Sequence, residues 1–107
     1  MAYNEKLDMR IGEIVLDWGT VRKKMFGGTC YLLNGKMMCG VYKDFLIVRL
    51  GEKEAVEALS QPFVRPFDIT GRPMKGWVML EEAGFKGKAL DAWLKKARTF
   101  SASLQAK

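Results

Sequence analysis

The chain has 107 residues, of which 49% are hydrophobic and 28% are charged. This balance is typical of a globular protein and argues against a disordered or fibrous chain. The apolar runs fall far short of the roughly 20 residues of a membrane span, and the opening residues lack the basic and apolar regions of a signal peptide. With only two cysteines, the chain is predicted to be a cytoplasmic protein with reduced thiols, folded as one domain over residues 1–107.

The net charge of +6 is unevenly distributed along the chain. Residues 22–50 carry a net +5, whereas residues 51–60 carry a net −2. A basic region of this kind can attract an acidic partner or nucleic acid, although the same charge can serve solubility alone. The charge pattern by itself leaves these alternatives open.

The first predicted element is a helix that begins after Asn4, a suitable N-cap residue, and ends near Gly19. Its apolar stripe follows the helical period and consists of Leu7, Ile11, Ile14, Val15 and Trp18. Gly12 lies inside this helix and costs about 1 kcal/mol relative to alanine. A close approach between the helix and a sheet would explain this glycine.

Residues 22–50 are predicted to form three strands joined by two tight turns. Asn34-Gly35 is the stronger turn, because this dipeptide readily adopts the positive φ angles of a two-residue hairpin. Lys43-Asp44 is the weaker turn. Gly27-Gly28 interrupts the first strand, and glycine inside a strand often marks a bulge or a close backbone approach.

The first turn also predicts a register and two faces for the sheet. Leu33 lies opposite Lys36, and further along the same pair of strands Cys30 lies opposite Cys39. Strand alternation gives a wholly apolar inner face, formed by Phe26, Cys30, Leu32, Met37, Cys39, Val41, Leu46, Val48 and Leu50. The outer face is mixed and includes Thr29, Leu33, Phe45 and a candidate interaction face formed by Tyr31, Lys36, Met38, Tyr42, Ile47 and Arg49. Aromatic, methionine and arginine side chains are enriched in protein interfaces.

Shorter elements are predicted in the second half of the chain. An acidic helix spans residues 51–60. Its predicted inward residues are Ala55, Val56 and Leu59. All three prolines lie within residues 61–75, so only a short strand at residues 67–69 and a turn at residues 70–73 are expected there. Residues 76–80 are predicted to be the final strand.

The last predicted helix begins near Lys88 and frays from Ser101 onward. Its apolar stripe consists of Leu90, Trp93, Leu94, Ala97 and Phe100. The predicted order of elements is α-β-β-β-α-β-β-α. Such an order favours an α+β fold, in which an antiparallel sheet is packed on one face by helices.

The sequence offers little catalytic chemistry. It contains no histidine, which removes the commonest general base and the imidazole metal ligand. It has no glycine-rich phosphate-binding motif and no recognisable pair of a base and a nucleophile. We therefore predict that the protein is not an enzyme and that it uses no metal and no cofactor.

Two other features favour alternative functions. Cys30 and Cys39, as an opposed pair on adjacent strands, could form a reversible disulfide, or they are simply two small core residues. The candidate basic patch consists of Arg22, Lys23 and Lys24, with Arg49 as an additional cation. This patch could bind nucleic acid directly, although the signature of an RRM domain is absent.

Four segments of the chain resemble the TfoX/Sxy N-terminal domain family: KKMFGG at 23–28, NGKMMCGVYKD at 34–44, RPFDITGRPMKGW at 65–77 and LDAWLKKA at 90–97. The opening MAYNEKLDMRI is similar to that of short stand-alone members, which lack the C-terminal domain. The resemblance implies an α+β domain without catalytic residues. In two-domain relatives this module accompanies a helical domain and regulates natural competence genes, apparently through other transcription factors.

These observations together predict a non-enzymatic regulatory or protein-interaction module. Its expected partner is another protein or a second copy of the chain, and no membrane is involved. Direct nucleic-acid binding through the basic patch and a thiol redox role are the alternatives.

Overall fold

A computed structural model describes residues 4–25, 28–67 and 75–105, and the turn predicted at residues 70–73 lies outside these ranges. The elements are α1 (Glu5–Ile14), β1 (Thr20–Met25), β2 (Gly28–Leu33), β3 (Lys36–Tyr42), β4 (Phe45–Arg49), α2 (Glu52–Ala58), β5 (Val64–Pro66), β6 (Trp77–Leu80), a 3₁₀ turn (Glu82–Gly84) and α3 (Lys88–Gln105). The strands form one antiparallel sheet in the order β1-β2-β3-β4-β6-β5. The three α-helices share one core cluster with one face of this sheet, which confirms the α+β prediction.

The predicted first strand is in fact two strands, β1 and β2. They pair antiparallel with Met25 opposite Gly28, so the chain reverses direction where an interrupted strand was expected. Gly28 confirms the expected close backbone approach, because a Cβ atom on it would overlap the carbonyl oxygen of Val41 on β3. Phe26, predicted on the inner face, and Gly27 lie outside the described residues.

A β-bulge in β3 changes the predicted register. The pairs next to the turn are as predicted, Leu33 with Lys36 and Leu32 with Met37. The register then shifts by one residue, so that Cys39 faces Tyr31 and Cys30 faces Gly40. The prediction that Cys30 lies opposite Cys39 is therefore wrong. The extra residue on β3 is Met38, which has no partner on β2.

The bulge also reverses which residues of β2 face the helices. The predicted inner residues that do lie in the helix-side core are Cys39, Val41, Leu46, Val48 and Leu50. On β2, however, the helix-side residues are Tyr31 and Leu33, so alternation places Cys30 and Leu32 on the opposite face. Met37, opposite Leu32, packs with the cluster on that second face. The inner-face prediction is wrong for these three residues because one unpaired residue reverses the parity of a strand.

The second face of the sheet has an apolar cluster of its own, formed by Ile47, Phe67, Trp77 and Met79. Phe67 follows β5 and lies over this face, with its ring centroid 5.7 Å from that of Trp77 and 6.3 Å from that of Tyr42. Ile47 is consequently fully buried. The prediction of a partly solvated face around Tyr42 and Ile47 is wrong, because Phe67 covers it.

Helix α1 follows the sequence prediction closely at its start. The side chain of Asn4 accepts a hydrogen bond from the backbone N–H of Leu7 at 3.0 Å, which confirms the N-cap. The helix ends at Ile14, about one turn earlier than expected. Gly12 does lie at a close approach to the sheet, since a Cβ atom there would lie 3.3 Å from the hydroxyl of Tyr31.

Helix α3 begins at Lys88, as predicted, but it does not fray at Ser101. Ser101 is fully buried and the helix continues beyond it for four residues. Trp93 is buried in the helix-side core. Trp18, in the loop after α1, is half-buried, and the guanidinium of Arg98 lies 4.8 Å from its ring centroid. This contact ties α3 to the end of α1.

The segment around α2 differs from prediction in two ways. The buried residues of α2 are Ala55 and Ala58, whereas Val56 and Leu59 are exposed. These two small side chains allow the short helix to lie close to β6. The strand β5 spans Val64–Pro66, where none was predicted. Of the strand predicted at residues 67–69, only Phe67 is among the described residues, and it lies outside any strand.

Candidate interaction surface

The predicted interaction face does not form a surface. Three of its residues are buried (Tyr31, Met38 and Ile47), two are half-buried (Tyr42 and Arg49) and one is exposed (Lys36). Tyr31 and Met38 lie on the helix side because of the bulge, whereas Ile47 lies under the second-face cluster. The prediction of this face as an exposed patch is therefore wrong.

Tyr31 belongs instead to a buried polar cluster around Asp8. Its hydroxyl donates a hydrogen bond to Oδ1 of Asp8 at 2.7 Å, and the hydroxyl of Thr29 donates to the same oxygen at 3.0 Å. Arg22 donates to Oδ2 through Nε at 3.1 Å and Nη2 at 2.6 Å. One carboxylate thus joins α1 to both β1 and β2. Because its lone pairs are taken up by these donors, the cluster is suited to holding elements together rather than to acid–base chemistry.

The protonation of this cluster follows from its geometry. Burial by itself would raise the pKa of Asp8, but the hydrogen bonds from Arg22, Tyr31 and Thr29 outweigh it and hold the pKa below its ordinary value. Burial, and then the bond to Asp8, raises the pKa of Tyr31. The cluster therefore consists of a carboxylate and a neutral phenol over the physiological range. A signal for it was present in the sequence, since Asp8 lies three residues before Ile11 on the buried side of α1.

The cations of the predicted basic patch do not form one surface. Arg22 is bound to Asp8, and alternation along β1 points Lys23 to the opposite face from Arg22 and Lys24. Arg49 lies on β4, three strands away from β1 in the sheet, where its guanidinium is 5.5 Å from the ring centroid of Phe100. Arg49 therefore belongs to a different part of the molecule.

The two cysteines are also separated by the sheet. Both thiols are buried, and alternation places Cys30 on the second face and Cys39 on the helix face. Burial raises the pKa of Cys30 to about 11, and burial is also the main cause of the raised pKa of Cys39. These thiols lack the thiolate character that reactive cysteines need.

An exposed apolar surface lies along α2. The side chains of Val56 and Leu59 are 68% and 39% exposed. They line a groove of about 330 Å³, called here the α2 groove, together with Glu52, Ala55, Pro66, Lys75, Gly76 and Trp77. Trp77 is almost fully buried and supplies the aromatic wall at the start of β6. The groove therefore offers an apolar recess beside exposed aliphatic side chains.

Phe63, in the loop between α2 and β5, is a further exposed apolar residue. It is 47% exposed, and its φ of 69° lies in the left-handed region that bulky side chains avoid. Its carbonyl oxygen accepts a hydrogen bond from the backbone N–H of Glu81 at 2.9 Å. This conformation costs an aromatic residue about 1–2 kcal/mol, and strain of this kind concentrates at functional sites.

The charges along α2 are mostly negative. Its exposed glutamates are Glu52, Glu54 and Glu57, against one lysine, Lys53. On the other flank of α2, a second groove of about 370 Å³ is lined by Leu50, Glu54, Lys96, Thr99, Phe100 and Ser103. Each groove is lined by one glutamate and one lysine, Glu52 with Lys75 and Glu54 with Lys96. The excess of negative charge along α2 itself favours a protein segment with nearby cations.

Within the described ranges, no three histidine, cysteine, aspartate or glutamate side chains lie together as a metal site. None of the described helices has the length and apolar character needed to cross a membrane.

A family model described as the TfoX N-terminal domain matches residues 13–101. The chain belongs to this family. Comparison with curated proteins and with solved structures gives no significant match.

The family match covers most of the features described above. In this TfoX N-terminal domain, residues 13–101 include every described strand, α2 and most of α3. Asp8 lies before the matched region, whereas its donors Arg22, Thr29 and Tyr31 lie within it. Membership of the family suggests a domain like those of competence regulators.

Proposed function

We propose that this TfoX N-terminal domain is a non-enzymatic regulatory module that acts by binding another protein along α2. The observation that carries the proposal is the exposure of Val56 and Leu59 beside the α2 groove. The alanines of α2 face the core and its larger aliphatic side chains face outward. These larger side chains therefore contribute no burial to the core of the domain. Apolar groups of this kind contribute free energy only when a partner covers them.

The partner is a protein segment that offers an apolar side chain to the groove and a cation to the carboxylates around it. Glu52 lies in the groove wall, and Glu57 is exposed on the same helix. The strained, half-exposed Phe63 lies on the loop that follows α2 and supplies a further aromatic contact. The family supports a regulatory role over an enzymatic one.

The other two functions have less support. Nucleic-acid binding needs cations on one surface, whereas Arg22 is held by Asp8 and Arg49 lies on a distant strand. A redox role needs an accessible thiolate, whereas Cys30 and Cys39 are buried and have raised pKa values.

Site-directed photo-crosslinking in the native host tests the proposal. A photoreactive residue at Val56 should capture a specific protein, whereas the same residue at Leu16, which is 78% exposed in the loop after α1, should not. Val56→Asp should abolish the cross-link formed from a reporter at Leu59 and should reproduce the transcript changes of a gene deletion, whereas Leu16→Asp should do neither. A folded Val56→Asp protein that keeps its cross-links and its transcript profile would contradict the proposal.

A further inference from the structure

We propose that the outer edge of β1 binds an acidic peptide segment in extended conformation, which adds an antiparallel strand to the sheet. This inference goes beyond the proposed function, because β1 and α2 belong to different parts of the molecule. β1 is one edge of the sheet, whereas α2 packs on β6 near the other edge.

The two edges of the sheet differ in how open they are. β5 has three residues and contains Pro66, and short strands with proline are a common means of blocking an edge. β1 has six residues and no proline, and no described strand lies on its outer side. An edge of this length presents a row of backbone groups to which another strand can pair.

The outward backbone groups of β1 can be assigned from the hairpin geometry. Met25 and Gly28 are separated by two residues and form the closing pair of β1 and β2, and closing pairs of this type are hydrogen-bonded. Alternation then makes Lys24 and Thr29 a non-hydrogen-bonded pair. The N–H and C=O of Lys24 therefore point away from β2, whereas those of Lys23 point toward it.

The side chains of β1 indicate an acidic partner. Residues 21–24 are all exposed, and no described carboxylate forms an ion pair with Lys23 or Lys24. Lys23 and Lys24 project to opposite faces of the sheet. A phosphate backbone that lies on one face of the sheet can contact only one of these two lysines. A strand that pairs in the plane of the sheet can place an acidic side chain next to each of them.

The register specifies a sequence for the added strand. Two consecutive acidic residues would lie opposite Lys24 and Lys23, and a β-branched apolar residue two places after them would lie opposite Val21. Val21 already faces Leu32, which faces Met37. These three residues form an apolar row across β1, β2 and β3, and the apolar residue of the partner would extend this row to a fourth strand. Arg22 would stay bound to Asp8.

Fluorescence anisotropy with the labelled peptide Thr-Glu-Glu-Thr-Val-Thr tests this inference on the full chain. N-methylation of the first glutamate keeps its charge but removes the N–H that pairs with Lys24, so binding should weaken by roughly tenfold. N-methylation of the second glutamate is the matched control, because its N–H points away from β1, and the affinity should stay within about twofold. Equal effects of the two modifications, or no binding of the parent peptide, would overturn the inference.

Variants of the protein give a second test. Combined Lys23→Glu and Lys24→Glu should weaken the parent peptide by roughly tenfold or more, because each opposed charge pair becomes repulsive. Val56→Asp on α2 should leave this binding unchanged and so separates the inference from the proposed function. Each variant is checked by thermal melting. If a short DNA duplex displaces the peptide at lower concentration than unlabelled peptide does, the basic edge is a nucleic-acid site and the inference fails.

Discussion

The hydroxyl of Tyr31 lies 2.7 Å from Oδ1 of Asp8, at the point where Gly12 lets α1 approach the sheet. A side chain at Gly12 would crowd this hydroxyl, since its Cβ atom would lie 3.3 Å away. The glycine therefore costs helix propensity but permits a buried hydrogen bond. Together with Arg22, which reaches the same carboxylate from β1, this bond fixes the position of α1 on the sheet.

The first prediction concerns this bond. Tyr31→Phe keeps the ring in the core but removes the donor, so the free energy of unfolding should fall by about 1–2 kcal/mol. Tyr42→Phe is the control, because Tyr42 is half-buried on the second face, and it should cost less than about 0.5 kcal/mol. Urea unfolding followed by tryptophan fluorescence measures both. Equal stability of Tyr31→Phe and wild type would mean that the bond contributes nothing.

The second prediction concerns stability in acid. The folded state holds the pKa of Asp8 below its unfolded value of 3.8, so the stability that ionised Asp8 contributes is fully present above pH 4–5 and is lost as the pH falls through the folded pKa. Asp8→Asn should be less stable than wild type at neutral pH, and the difference should shrink as the pH falls below about 4. Unfolding midpoints measured across this range test it. A constant difference between the two proteins would contradict the assignment.

The third prediction concerns the cysteines. Burial raises the pKa of Cys30 and Cys39 in the folded state, so both thiols should react slowly with a thiol reagent at neutral pH and quickly in denaturant. Intact mass after alkylation without reductant should show two modified thiols in unfolded protein and none in native protein. If protein that was never reduced cannot be alkylated even after unfolding in denaturant, it contains a disulfide. That result would support the redox interpretation.

The fourth prediction compares two phenylalanines separated by three residues. Phe67→Ala should cost about 3–5 kcal/mol, because Phe67 is fully buried between the rings of Tyr42 and Trp77. Phe63→Ala should cost less than about 1 kcal/mol, because Phe63 is 47% exposed and its backbone is already strained. Chemical denaturation of the two variants decides the matter. Similar losses would mean that the second face is not covered as described.

The fifth prediction tests the bulged region of the sheet. Gly40→Ala should prevent folding or cost more than about 3 kcal/mol, because the new Cβ atom would overlap the carbonyl oxygen of Thr29 on the neighbouring strand. Gly19→Ala is the control. It meets no atom within 4 Å, but its φ is +79°, so it should cost only about 1–2 kcal/mol. A well-folded Gly40→Ala protein would show that the two strands are not paired in this register.

Local features of the chain were predictable from the sequence because their causes lie within a few residues. The N-cap at Asn4, the turn at Asn34-Gly35 and the start of α3 at Lys88 all depend on neighbouring side chains and were confirmed. The weaker turn at Lys43-Asp44 was also confirmed. It pairs β3 with β4, with Cys39 opposite Val48, Val41 opposite Leu46 and Tyr42 opposite Phe45. The α+β class follows from the same periodicities, whereas the number of strands does not, because the predicted first strand is divided into β1 and β2.

The interaction face was not predictable in this way. Its assignment depended on unbroken alternation along β3 from Lys36 to Cys39. The single extra residue Met38 interrupted that alternation and so placed Tyr31 of the paired strand β2 on the helix side. The rest of the error came from Phe67, which covers the second face from a segment that has no regular period of its own. Neither a β-bulge nor a residue from a distant segment that packs over the sheet changes the apolar–polar pattern of the strand sequence itself.

Only the tertiary structure decided which surfaces remain for a partner. The α2 groove exists because Ala55 rather than Val56 packs inward, and that choice depends on how closely the helix lies to β6. The open edge of β1 exists because the chain reverses between Met25 and Gly28 instead of continuing as one strand. The sequence by itself determined where the helices lie, the hairpin of β3 and β4 and most of the core stripes, because these follow from local spacing. Contacts between residues far apart in the chain decided two further properties: the direction of the side chains beyond the bulge, and which residues remain exposed.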